Sequence, residues 1–172
     1  MKNVVYLFFA MLFLASCQRD RCQDIVCGPN QICLAGSCVC ADGFEGTDCA
    51  TRSASKYIGN YVASEFCQNG GGNASYFPFI QHQSSNPARL EIGNFLNNYT
   101  IVAFIRADAG NTGNNIEIPE QQLGGSGTIY GQGVLQFVPT TPGGPVQQRL
   151  TLNLEYTLNF QNLACTHTFF RQ

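Results

Sequence analysis

The chain is predicted to be mainly β, with a small disulfide-rich module followed by an antiparallel meander of about eight strands, closed as a barrel or packed as a sandwich. Three observations predict it. Nine cysteines are present in 172 residues, and six of them fall between Cys22 and Cys49. Beyond Tyr57, apolar and polar residues alternate with a period of two in one segment after another. Clusters of Gly, Asn and Pro separate those segments, and no stretch carries a convincing helical period. Composition excludes other classes. A disordered polymer would carry more than 12% charge and fewer than 12% aromatic residues. A net charge of −2 lacks the basic excess of a nucleic-acid binder. Nine cysteines in so small a chain indicate an oxidising compartment, and an odd count leaves one after pairing.

The unpaired cysteine is placed by the first segment. Met1-Lys2-Asn3 precedes an apolar run from Val4 to Ala15, then Ser16-Cys17. One basic residue, a short apolar core and a small-residue end make a secretory signal over 1–16. The run is shorter than the roughly 20 residues that span a bilayer. Leu14-Ala15-Ser16-Cys17 resembles the lipobox of bacterial lipoproteins. The resemblance implies cleavage before Cys17, lipidation of its sulfur and acylation of the new amino terminus. Several acyl chains on one residue anchor stably, where a single chain binds only marginally. Residues 17–21 then form a tether. No Asp follows Cys17 directly, so the expected location is the outer membrane or cell surface, with the mature part in the periplasm or outside.

Residues 22–49 hold Cys22, Cys27, Cys33, Cys38, Cys40 and Cys49, separated by four, five, four, one and eight residues. Apart from Ile25, Val26, Ile32, Leu34, Val39 and Phe44 there is little to build a core, so covalent staples must supply stability. Spacing alone leaves the 15 pairings of six cysteines open. The run Cys40-Ala41-Asp42-Gly43-Phe44-Glu45-Gly46-Thr47-Asp48-Cys49, with the Cys38-Val39-Cys40 step, resembles the EGF-like pattern. That resemblance implies the bonds Cys22–Cys33, Cys27–Cys38 and Cys40–Cys49. A zinc site fits poorly, because its thiolates would have to stay reduced in an oxidising space. No oxygen ligand set follows Cys33, so no calcium site is expected.

Residues 50–56 are small and polar and read as a linker. The β domain occupies 57–171. Its clearest strand places Leu150, Leu152, Leu154, Tyr156, Leu158 and Phe160 on one face and Thr151, Asn153, Glu155, Thr157 and Asn159 on the other. Further strands are read at 57–66, 76–82, 88–92, 99–105, 129–138 and 165–170. Cys67 ends the first strand and Cys165 starts the last. In a closed up-and-down barrel these strands are antiparallel neighbours, so a Cys67–Cys165 bond would pin the closure. The region also resembles the lipocalin-like (calycin-type) β domain of Bacteroidota-type lipoproteins. The residues carrying this are Tyr57-Ile58-Gly59-Asn60-Tyr61, Cys67, Leu90-Glu91-Ile92-Gly93-Asn94-Phe95, Ile116-Glu117-Ile118-Pro119-Glu120-Gln121, Gly131-Gln132-Gly133 and Cys165.

Little in the sequence points to catalysis. His82 and His167 are the two side chains of a type whose ordinary pKa lies near neutrality, and neither has a histidine partner at metal-ligand spacing. His167 reads as a pairing residue on a strand face. His82 lies near Ser84 and Ser85, but there is no nucleophile elbow. Glu65, Glu91, Asp108, Glu117, Glu120 and Glu155 read as solvated strand or turn residues. Gly124-Gly125-Ser126-Gly127 lacks the lysine of a phosphate loop and reads as a turn. Asn73-Ala74-Ser75 and Asn98-Tyr99-Thr100 match the N-glycosylation pattern, which is idle in a bacterial lipoprotein. With every cysteine assigned, no reactive thiol is left. No catalytic residue, metal or cofactor is expected, and no ligand-binding residue is singled out. The expected function is that of a non-enzymatic, lipid-anchored envelope or surface protein acting as a binding or adhesion module. Its partners would be the membrane, through the anchor, and a protein or glycan ligand, with no nucleic acid. The alternative is a lipocalin-like carrier of a small apolar ligand inside the barrel, with a hydrolase a distant third.

Overall fold

The computed structural model describes residues 21–172 except 69–74, 84, 126 and 159. The expected signal segment at 1–16, Cys17 and Asn73 therefore lie outside the described residues. Two small sheets come first. β1 (Gln31–Leu34) and β2 (Ser37–Cys40) form a hairpin. β3 (Phe44–Glu45) pairs with β4 (Thr51–Arg52). Three disulfides, Cys22–Cys33, Cys27–Cys38 and Cys40–Cys49, hold this module. Its side chains would not hold it, since Val26, Ile32 and Leu34 are exposed and Val39 is the one aliphatic residue of the module that is buried.

The rest of the chain is an antiparallel barrel. Its strands are β5 (Gly59–Cys67), β6 (Ser75–Tyr76), β7 (Phe79–His82), β8 (Arg89–Phe95), β9 (Tyr99–Arg106), β10 (Asn115–Leu123), β11 (Gly127–Pro139), β12 (Val146–Leu158) and β13 (Gln161–Arg171). β5 pairs with both β6 and β7, each strand from β7 to β12 pairs with the next, and β13 returns to β5 with Phe170 opposite Val62 and Cys165 opposite Cys67. β6 and β7 lie in turn along β5 and occupy one strand position, so the ring has eight members. The break falls at Phe77-Pro78, where the Pro carbonyl accepts a 2.9 Å bond from the Tyr61 amide. Closure removes the free sheet edges that would otherwise invite pairing with other chains.

Besides the break at Phe77-Pro78 in the segment read as one strand at 76–82, the strand pattern differs from the sequence reading in three further places. β10 was not among the strands read from alternation, because Pro119 and a register shift between Ile118 and Gln121 interrupt its period. The last strand begins at Gln161, so Cys165 lies within it. Phe160 does not continue the inner face of β12; it sits at a positive φ in the turn and is 93% exposed.

The barrel interior is packed. Tyr57, Tyr61, Leu90, Ile92, Phe95, Ile101, Ile105, Leu150, Leu152 and Phe169 have no accessible surface. A void large enough for water leaves its lining accessible, so these side chains meet each other. At Gly133 an added Cβ would stand 2.4 Å from the Leu152 side chain and 3.1 Å from that of Ile116. The glycine lets both fill the centre.

Residues 50–56, read as a linker, are folded into the junction. Ser53–Lys56 forms a 3-10 turn with Ser53 and Ala54 buried. The module docks on the β7–β8 and β9–β10 loops. Asp42 accepts from the Ala107 amide (2.7 Å) and from the Arg106 guanidinium (2.8 Å). Asn111 accepts from the Cys40 amide at its side-chain oxygen and from the Gly46 amide at its carbonyl. Asp108 shapes the receiving loop. Burial raises its pKa, but hydrogen bonds from Thr112, Gly110 and Gly113 outweigh this and lower it. Gly43, at φ +83°, presses against the Pro87-Ala88 backbone, and a Cβ there would lie 2.5 Å from the Pro87 carbonyl carbon. Gly43→Ala is therefore expected to cost about 2 kcal/mol through strain and displacement of the module. Limited proteolysis around residues 50–56 checks this, and cleavage should become faster than in the wild type.

Candidate functional site

Two clusters of polar side chains stand out, one inside the barrel and one outside. The inner cluster follows from strand alternation. On β5, Tyr61, Ala63, Glu65 and Cys67 share the inward face. On β13, Cys165, His167 and Phe169 do the same. Glu65 is thus buried, not a solvated strand residue as its charge suggests. Face parity places it, and the Tyr156 hydroxyl donates to its Oε1. Burial first, then the hydrogen bond and charge of Glu65, push the Tyr156 pKa up, so Tyr156 remains a donor. His167 has no accessible surface, and its Nδ1 pairs with the Tyr76 hydroxyl at 2.9 Å. Its Nε2 lies 3.8 Å from Glu65 Oε1 and has no hydrogen-bond partner. Burial lowers the imidazole pKa from 6.5 to about 4, so the ring is neutral near pH 7. The ring packs against Phe95, with centroids 5.0 Å apart. The Cys67–Cys165 disulfide closes this end of the cluster.

The outer cluster lines an open groove of about 1100 Å3 on the flank of β10–β13. Register lays its side chains in a transverse row. Glu117 faces Gln132, Gln132 faces Asn153, and Asn153 faces Thr166. Thr166 donates to the Asn153 side-chain oxygen at 3.0 Å. The adjacent row pairs Tyr130 with Glu155, and the Tyr hydroxyl donates to the carboxylate. At the module end Arg106 donates through Nε to Glu117 (2.7 Å) and through Nη1 to Asp42, which ties the groove to the docked module. The groove therefore offers amides, carboxylates, hydroxyls and one half-exposed aromatic ring.

The remaining residues singled out from sequence are dispersed. His82 Nε2 pairs with the Asn86 carbonyl at 3.0 Å and closes the β7–β8 loop, far in sequence and register from His167. Glu91 pairs with Arg89 and Gln81. Asn98 and Tyr99 lie at the β8–β9 turn. The four described disulfides use Cys22, Cys27, Cys33, Cys38, Cys40, Cys49, Cys67 and Cys165. In the sequence Gln132 belongs to the Gly131-Gln132-Gly133 motif and Asn153 to the wet face of its strand, but neither they nor Tyr130 are marked as binding residues. A period of two puts each on a wet face, but only register puts them side by side.

No protein-family model and no curated protein matches the chain. Among solved structures it is similar to a Bacteroides ovatus protein of unknown function, with a TM-score of 0.43 and 10% identity. The alignment covers 67% of this chain and 42% of that one, so the chain spans less than half the length of that structure.

Proposed function

We propose that this is a lipid-anchored, non-enzymatic binding protein of the bacterial outer membrane or cell surface, which holds its ligand on the outside of the barrel. The observation that carries the reading is the contrast between a packed interior and an outer groove that polar side chains line. Interior side chains such as Leu90, Ile101, Leu152 and Phe169 have no accessible surface, which argues against a carrier with its ligand in a calyx. An apolar inside and an outer face bearing Glu117, Gln132, Asn153 and Glu155 is the reverse of a membrane-spanning barrel, and suits a barrel in water. Among the described residues no helix is long and apolar enough to cross a membrane.

The anchor in this reading is Cys17, behind the Leu14-Ala15-Ser16 lipobox. The module at 22–49 is EGF-like: its bonds join first with third, second with fourth and fifth with sixth cysteines. It serves as a rigid spacer fixed to the barrel through Asp42, Arg106 and Asn111. The β domain is lipocalin-like in its closed eight-strand meander, with its cavity filled.

The planar amides and hydroxyls of the groove beside the Tyr130 ring suit a glycan, since one of two neighbouring sugar hydroxyls accepts from an amide NH2 while the other donates to the amide oxygen, and sugar faces stack on aromatics. Binding of the purified protein to an array of oligosaccharides and extracellular proteins tests the function. Tyr130→Ala combined with Gln132→Ala is expected to weaken binding at least tenfold (about 1.4 kcal/mol) with the unfolding midpoint unchanged. Equal binding by wild type and variant, or none by either, would overturn the reading. For the anchor, cells given a palmitate analogue should label the wild type and not Cys17→Ala.

A further inference from the structure

The seam disulfide covers a set of metal donors. A Glu65 carboxylate oxygen, Cys165 Sγ and a His167 ring nitrogen lie within 4.8 Å of one another, and all three residues are buried. Cys67 Sγ is 3.4 Å from Glu65 Oε1, and His167 Nε2 is 3.8 Å from the same atom. Zinc bonds of about 2.3 Å to sulfur and about 2.0 Å to nitrogen or oxygen place tetrahedral donors roughly 3.3–3.8 Å apart. The sulfur–oxygen edge of such a tetrahedron is therefore already near its length of about 3.5 Å, the nitrogen–oxygen edge must shorten by about 0.5 Å, and the bonded sulfurs are the pair that stands too close.

The surroundings also fit a metal site. His167 Nε2 is fully buried, faces the cluster and has no hydrogen-bond partner. Its Nδ1 is held by Tyr76, and Glu65 is held by Tyr156, which are the outer contacts that orient ligands around a metal. A divalent ion with two thiolates and a carboxylate sums to −1, so the ion offsets most of the charge that its ligands carry.

We propose that when the Cys67–Cys165 bond is reduced, Cys67, Cys165, His167 and Glu65 form a buried zinc site that cross-links β5 to β13 in place of the disulfide. A trialkylphosphine supplies the two electrons. Phosphorus attacks one sulfur and the S–S bond breaks. Water then gives its oxygen to the phosphine oxide and its two protons to the two thiols. Zinc displaces both thiol protons, which pass to water, as two Zn–S bonds form, while His167 Nε2 and a Glu65 carboxylate oxygen each contribute a lone pair. The site does not depend on the groove or on what binds there.

The test uses the full chain, reduced with a trialkylphosphine and incubated with zinc or with a chelator. Cysteine alkylation is then mapped by peptide mass spectrometry, which separates Cys67 and Cys165 from the module cysteines. Zinc is expected to slow alkylation of both at least tenfold and to raise the thermal midpoint of the reduced protein but not of the oxidised one. His167→Gln should lose the protection at Cys67 and Cys165 and leave the module cysteines unchanged. Glu65→Gln, which keeps an acceptor for Tyr156, should weaken it and serves if the first variant does not fold. Equal alkylation with and without zinc, protection confined to the module, or full protection in both variants would refute the site.

Discussion

Replacing Cys67 and Cys165 together with alanine is expected to lower the unfolding free energy by up to about 4.7 kcal/mol. The bond spans 98 residues, and cross-linking so long a loop removes a correspondingly large conformational entropy from the unfolded chain. The two cysteines are cross-strand neighbours at the junction where β13 meets β5, so the loss falls on closure of the ring. Denaturant unfolding under non-reducing conditions, with the module disulfides intact in both proteins, measures it. An unchanged midpoint would mean that the β5–β13 ladder alone holds the seam. The remaining folded population should keep the barrel register, because its packed interior does not depend on the two sulfurs.

The second large effect is a loss of stability in mild acid. His167 is neutral in the folded protein down to about pH 4, because burial disfavours its charged form. In the unfolded chain the same ring takes a proton near pH 6.5. Above that pH both states are neutral and the contribution is fully present. As pH falls from 6.5 toward 4 the unfolded state binds the proton and the folded state does not, so stability drops, by about 3 kcal/mol at pH 4. Urea midpoints across that range should fall in the wild type. His167→Gln, which cannot titrate there, should flatten the slope even though it lowers the starting value. A wild-type curve as flat as that of the variant would show that His167 accepts its proton without unfolding.

Both effects arise from one inner patch, and its parts were unequally legible in the sequence. Cys67 and Cys165 could be paired from topology alone, since a meander that closes must bring its first and last strands together. The charge of Glu65 points to solvent, whereas its strand face points to the interior. It stands two residues from Cys67 and four from Tyr61 on the same side of β5, and Tyr156 on β12 supplies the hydrogen bond that makes its burial tolerable. The local sequence puts His167 on a strand face, but nothing local tells that the face is the inner one with an unpaired nitrogen. The groove was invisible for a related reason. Gln132 and Asn153 are ordinary wet-face residues until the β11–β12 register sets them opposite one another.

By itself the sequence determined the class of the protein: a stapled module, then strands with one dry and one wet face, because cysteine spacing and a period of two are local properties of the chain. It also located the closure, since the two remaining cysteines bracket the meander. The tertiary structure decided the rest. It packed the interior with Tyr61, Phe95, Leu152 and Phe169, turned the segment expected to be a linker into a fixed junction, and gathered donors from β5 and β13 about one point. These depend on register, loop packing and the volume left by glycines such as Gly133, which are set by residues far apart in sequence. A short-range pattern carries no record of which distant side chain will meet which.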